Sequence, residues 1–156
     1  MEQARRRGLT NILFLPYQPK ESLSVSLSAA DLHLVSLQKG VAGLIVPSKV
    51  YGILAVGRPF IAAIEAESHA AQIVREHRCG IRVEPDAPDE LRTAIAWAID
   101  HPTELQEMGR HGREAAVKCF DRAVSVEKFR VMLKELQIAG RQVVSENQRD
   151  AANQIA

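Results

Sequence analysis

A chain of 156 residues, 46% of them hydrophobic and 25% charged, is long enough to bury a core and is sized for one domain. Its 20 lysines and arginines balance 19 aspartates and glutamates, so no whole-protein field favours nucleic acid or an acidic membrane as a main partner. Cys79 and Cys119 lie far apart and form no Cys-x-x-Cys pair, which fits packed thiols in a reducing compartment and argues against a disulfide framework.

Glu2 to Gly8 reads as the end of a helix whose beginning lies outside this sequence, with basic residues and then Gly8 in stop positions. Met1 to Arg7 is basic like the start of a signal peptide, but Thr10, Asn11 and Pro16 interrupt the apolar stretch that follows. No stretch is long enough to span a bilayer either, so a cytoplasmic location is expected. Asn11 to Leu15 is a nearly continuous apolar run ended by Pro16, as expected of a strand covered on both faces of a parallel sheet.

Leu23, Val25 and Leu27 alternate with Ser24, Ser26 and Ser28, a strand period, while Leu23, Leu27 and Ala30 also share one helical face. A helix is preferred, because Leu32 to Leu37 makes the better strand and an intervening helix gives a right-handed parallel crossover. Gln38 to Val46, with Gly40 and Gly43, is then a loop at the carboxyl end of that strand, where open α/β sheets bind ligands.

From Val46 to Pro59 the sequence packs a helix start, a short helix and a strand entry into one stretch. Pro47 suits a first helical turn, since its ring sets φ and the proton it lacks would have no partner there. Ser48 and Lys49 sit at the positive end of the helix, where unpaired amides, a hydroxyl and an ammonium attract an anion such as a diphosphate. The same tripeptide also serves as an ordinary cap with a solvated lysine. Val50, Leu54 and Ala55 form a buried side, Gly57 stops the helix, and Phe60 to Ile64 follows as a strand.

Ser68 can cap a helix with Ala70, Ile73, Val74 and the stem of His77 inward, closing at Gly80. Ile81 to Val83 reads as a short strand. Pro88 opens a helix with Leu91, Ala94, Ile95, Ala98 and Ile99 on one face, and Pro102 ends or restarts the path. Leu105 to Cys119 is amphipathic and carries Gly109 and Gly112, which let a helix approach a neighbour closely. Asp121 can cap a last helix striped with Phe129, Met132, Leu133 and Leu136, either core or a docking face. Residues 1–136 form the domain on this reading, and the polar tail 137–156 is expected to fray or be disordered.

The five histidines are scattered with no His-x-x-x-His or Glu-x-x-His pair, so no metal site is expected. Neither a Gly-x-Ser-x-Gly elbow nor a Gly-x-x-x-x-Gly-Lys loop is present, and hydrolase and P-loop chemistry lack support. Glu65 and Glu67 fall just past the strand ending at Ile64, at the ligand edge. They can contact ligand hydroxyls or simply form a solvated acidic loop.

Three blocks in order, Asn11 to Pro16, Ala30 to Val35, and Pro47-Ser48-Lys49-Val50-Tyr51 through Gly57-Arg58-Pro59, resemble the C-terminal, nucleotide-sugar-binding domain of bacterial family 4 glycosyltransferases of the GT-B type. Weaker agreement runs from Cys79 to about Leu136. The resemblance implies an α/β, Rossmann-like parallel sheet with flanking helices and strand order 3-2-1-4-5-6, in which Asn11 to Leu15 is the third strand. It implies a retaining transferase building a bacterial surface polysaccharide, with a nucleotide diphosphate-sugar, of the UDP-sugar kind, as substrate and no cofactor.

By the same resemblance Pro47, Ser48 and Lys49 hold the donor diphosphate, and Leu15, Tyr17 and Gln18 lie near the nucleobase. Many members carry two glutamates facing sugar and ribose; in register these fall on Leu44 and Gly52, neither of them acidic, with Glu65 and Glu67 as further candidates in the sugar vicinity. A branch with Pro-Ser-Lys-x-Tyr, linked to amino-deoxy-sugar transfer in O-antigen assembly, matches better. The first two strands and the N-terminal acceptor domain of the full enzyme, which can sit peripherally on the inner membrane, are then expected to be missing. The chain alone is expected to be inactive, and to pair its third and fourth strands directly or to form a homodimer through its sheet edges. A non-catalytic remnant of the fold and part of a sugar-nucleotide epimerase are the alternatives.

Overall fold

A run of small and branched apolar residues between two helices gives the central strand, and the rest of the chain wraps it. A computed structural model describes residues 2–153, with side chains described as far as Gln137. The three strands, β1 (His33–Ser36), β2 (Phe60–Ala63) and β3 (Gly80–Val83), lie side by side in the order β1-β2-β3. Both pairings are parallel, with Val35 opposite Ala62 and Ala62 opposite Arg82. Strand β2 alternates between two cores. Phe60, Ala62 and Ile64 face a cluster with Val50, Ile53, Leu54, Ile73 and Cys79, while Ile61 faces Val83 and Ala94 on the other side. Burial on both faces is what a parallel strand under helices requires.

The connecting helices are α2 (Leu23–Ser28), α3 (Lys49–Ala55), α4 (His69–His77) and α5 (Pro88–Asp100). They follow a short α1 (Glu2–Arg6) and a 3-10 turn (Lys20–Ser22), and α6 (Pro102–Cys119) and α7 (Arg122–Asn153) complete the chain. The α/β class and parallel sheet expected from the sequence are observed, and 23–28 takes the helical alternative. The Ser68 Oγ accepts a hydrogen bond from the Ala71 amide at 3.2 Å and caps α4 as expected. Asp121 Oδ1 likewise accepts from the Ala123 amide at 2.8 Å.

Gly109 lets α6 meet the end of α3: a Cβ there would lie 2.3 Å from the Gly57 carbonyl oxygen. Gly57 itself turns the chain out of α3 with φ +68, a left-handed conformation that glycine adopts at little cost.

Several expectations are corrected. Pro47 precedes the Ser48 N-cap and is not in the first turn of α3, and on that helix Ala55 is exposed while Ile53 takes the buried place. Asn11 to Leu15 forms no strand; these residues are exposed, with Leu13 at 80% and Leu15 at 69%. An apolar run becomes a strand only where a neighbour completes its hydrogen bonds, and β1, on the side away from β2, carries no partner among the described residues. The direct pairing of this segment with the next strand is therefore not made. Helix α4 closes at Arg78, in the left-handed region with φ 51, and not at Gly80. Gly80 instead lets β3 approach β2, since a Cβ there would sit 2.2 Å from the Phe60 carbonyl oxygen. For the stripe Phe129, Met132, Leu133 and Leu136, left open between core and a docking face, exposure sets the core alternative aside. Helix α7 is drawn to Asn153. Side chains past Gln137, and residues 154–156, lie outside the described residues.

Candidate functional site

The carboxyl edge of the sheet is built from the ends of β1 and β2. Pairing continues one step beyond β1, where the Leu37 amide donates to the Ala63 carbonyl at 3.1 Å. The chain then leaves the sheet in a loop whose turns centre on Val41, its carbonyl accepting from the amides of Leu44 at 3.1 Å and Ile45 at 3.3 Å. Gly40 and Gly43 take φ values of +84 and +80, which the turns require. One oxygen of Glu65, Oε2, accepts from the amides of Gly40 at 3.0 Å and Ala42 at 3.2 Å. Glu65 thus follows β2 at the ligand edge, as the sequence suggests, but its carboxylate grips the neighbouring loop. Glu67 is exposed beside it.

From this loop the chain enters α3. Ser48 is the N-cap residue, with helical φ and ψ and no side-chain cap bond. Val50 and Tyr51 donate their amides to the carbonyls of Pro47 at 3.0 Å and Ser48 at 3.2 Å. Among the described residues the amides of Ser48 and Lys49 meet no acceptor. Ser48 and Lys49 are exposed and Pro47 is half-buried, so two amides, a hydroxyl and an ammonium are open to solvent at one helix start.

The remaining candidates are placed differently. Leu44 is 81% exposed on the loop. Gly52 faces inward: a Cβ there would lie 3.0 Å from Leu27 Cδ1 of α2, so its smallness serves helix packing. Tyr17 is 96% exposed, and Gln18 Nε2 donates at 3.0 Å to the Pro16 carbonyl, a contact within its own turn. Leu15 shares that exposed segment. The structure therefore brings Glu65 to the loop that leads into Pro47, Ser48 and Lys49. It gives Leu15, Tyr17 and Gln18 no bond to that group.

Gly57-Arg58-Pro59 lies at the opposite, amino end of β2, where Arg58 Nη2 donates to the Ser28 carbonyl at 2.7 Å and Nη1 stands 3.6 Å from Asp31. That block is scaffold. Sequence reasoning missed the amides of Gly40 and Ala42; the paired glycines of the loop were the available signal.

Apolar grooves lie elsewhere among the described residues. A groove of about 580 Å³ between α5 and α6 is walled by Ile81, Thr93, Ala94, Trp97 and Met108. Another, of about 600 Å³, runs along α7 past Val124, Val131 and Met132. Both are mainly apolar surfaces, with Asp89 and Glu90 at the first and Glu127, Lys128 and Glu135 at the second. Cys79 is fully buried, its thiol pushed up to about 11 by desolvation, which makes it a packing residue and not a nucleophile. Among the described residues no cluster of three or more His, Cys, Asp or Glu side chains could hold a metal ion. No described helix is long and apolar enough to cross a membrane.

No protein-family model matches the chain. In fold it is similar to sucrose-phosphate synthase from Thermosynechococcus elongatus, with a TM-score of 0.71 over 88% of this chain and 33% of that one, at 21% identity. That likeness shows the fold. In sequence it is 30% identical over 129 residues to the Escherichia coli K12 protein WcaI, named as a glycosyl transferase of colanic acid biosynthesis. It is 31% identical over 120 residues to WbjE of Pseudomonas aeruginosa, named as a glycosyltransferase. The likeness in sequence is thus to proteins named as glycosyltransferases, and the likeness in fold is to a sucrose-phosphate synthase. The alignments take in 82% and 76% of this chain, but only 31% and 29% of the length of those relatives.

Proposed function

We propose that this chain is the donor-binding part of a retaining glycosyltransferase that builds a bacterial surface polysaccharide, taking a uridine diphosphate-sugar. The observation that carries the reading is the pair of unpartnered amides at Ser48 and Lys49, beside a free hydroxyl and an ammonium, at the carboxyl edge of a parallel sheet. The relatives' names supply the reaction class and the polysaccharide setting. As the bond from the sugar to the diphosphate breaks, charge grows on the diphosphate oxygens. Donors fixed in advance at that place stabilise it without reorganising. No general base is required from these residues.

The site is an open surface, with Leu44, Ser48 and Lys49 facing solvent. We infer that the chain binds the donor and that transfer needs a second surface carrying the acceptor. The rival reading is a non-catalytic module of the same fold. It is favoured by Leu44 and Gly52, which offer no carboxylate where many transferases of this kind have one, Gly52 being turned onto Leu27.

Titration calorimetry with uridine diphosphate separates the two. Binding by the wild type, weakened by about 1 kcal/mol in Lys49→Ala, supports the donor reading; the effect is modest because Lys49 is exposed and water screens its charge. No binding by the wild type, or equal affinity in both, removes the diphosphate from this helix start.

A further inference from the structure

Between β1 and α3 the backbone is carried by the sheet only as far as Leu37, and the next hold on it from outside the loop is a side chain. Glu65, 25 residues from Gly40, uses the same Oε2 to accept from Gly40 and Ala42. An ionised acceptor makes such bonds shorter and stronger than a neutral one does. Two amides on one oxygen fix both the distance of the loop from β2 and its orientation. Glu65 is itself held, because Ile64 before it is fully buried and donates its amide to the Val83 carbonyl at 3.2 Å. The constraint therefore passes from the ladder of the sheet, through one carboxylate, to the loop.

We propose that Glu65 is a positioning residue: it sets the loop from Gln38 to Val46 against the end of β2 and so preorganises the surface on which the diphosphate of the donor rests. This builds on the donor reading above and assigns Glu65 a part in it other than touching the sugar. Its chemistry requires an oxygen acceptor at that point. Glutamine keeps one and alanine does not.

The test uses the full chain and has two independent readouts. Amide hydrogen exchange, measured without nucleotide, is expected to show Gly40 and Ala42 losing about tenfold in protection in Glu65→Ala, with most of it regained in Glu65→Gln, while the β2 amides stay unchanged. Titration with uridine diphosphate is expected to show a several-fold loss of affinity in Glu65→Ala and recovery in Glu65→Gln. Unchanged protection in Glu65→Ala overturns the proposal. So does unchanged or tighter nucleotide binding in a variant whose loop has loosened, the latter meaning that the carboxylate competes with the anion. A wild type that binds no uridine diphosphate overturns the donor reading and this role with it, whereas a binding wild type matched by Glu65→Ala overturns this role alone.

Discussion

Two apolar runs of the same length class meet opposite fates: Phe60 to Ile64 is the buried centre of the sheet, and Asn11 to Leu15 lies open to water. Phe60 is 0% exposed and Phe14 49%. Both runs are bounded by proline and rich in large apolar side chains, so composition does not separate them. The neighbours do. β2 has a strand on each side and helices on both faces, and its backbone groups are paired and its side chains covered. Among the described residues the other run has neither, and exposed apolar side chains alone do not make a strand.

The largest effect that tests this contrast is truncation of the two phenylalanines. Phe60→Ala should destabilise by about 3 to 5 kcal/mol in urea unfolding, since it empties a closed core site. Phe14→Ala should change stability by less than about 0.5 kcal/mol. Similar losses from both would mean that the segment around Phe14 is packed in solution. A smaller effect comes from the cap that starts the helix after β2. Ser68→Ala removes the acceptor of the Ala71 amide at a buried position and should cost about 1 kcal/mol, with Ser68→Thr or Ser68→Asp recovering part of it.

The smallest effect concerns the surface of α6 and α7. Hydrogen bonds from Arg110 to Glu107, from Lys118 to Glu114 and from Arg130 to Glu127 hold these carboxyls below their ordinary value of 4.5. Their folded values are depressed, so the stability they add is full above the ordinary value and fades as pH falls through the lower, folded one. The midpoint difference between wild type and Glu107→Gln should therefore be present at neutral pH and vanish in acid. It should also shrink in about 1 M salt, because the pairs are exposed and screened. A difference that survives both acid and salt would show that the pairing is not its source.

Much of this contrast was legible in the residues. Ser68 announced its cap, Gly57 its stop, and Gly109 a close helix approach that the Gly57 carbonyl confirms. The serine-leucine alternation from Leu23 to Ser28 carried both periods at once, and only the need for a crossover before β1 chose the helix. Asn11 to Leu15 was misread because periodicity reports what a side chain prefers and says nothing of whether a partner strand stands beside it. Gly80 was misread as a stop because glycine serves equally to end a helix and to let strands approach, and Arg78 took the left-handed position. At the site, Ser48 and Lys49 were visible as a helix start, while Pro47, read as part of the first turn, stands just before the Ser48 N-cap. The grip of Glu65 on Gly40 and Ala42 was not, since it joins residues far apart in the chain and depends on where two strands end.

The central claim, that the loop from Gln38 to Val46 and the start of α3 form a diphosphate-binding surface, is tested most directly by following backbone amide shifts while uridine diphosphate is added. Saturable changes are expected to be largest at Ser48 and Lys49, to extend to Gly40 and Ala42, and to leave the α5 and α6 groove around Trp97 and Met108 unmoved. Changes centred on that groove, or none that saturate at Ser48 and Lys49, would contradict it.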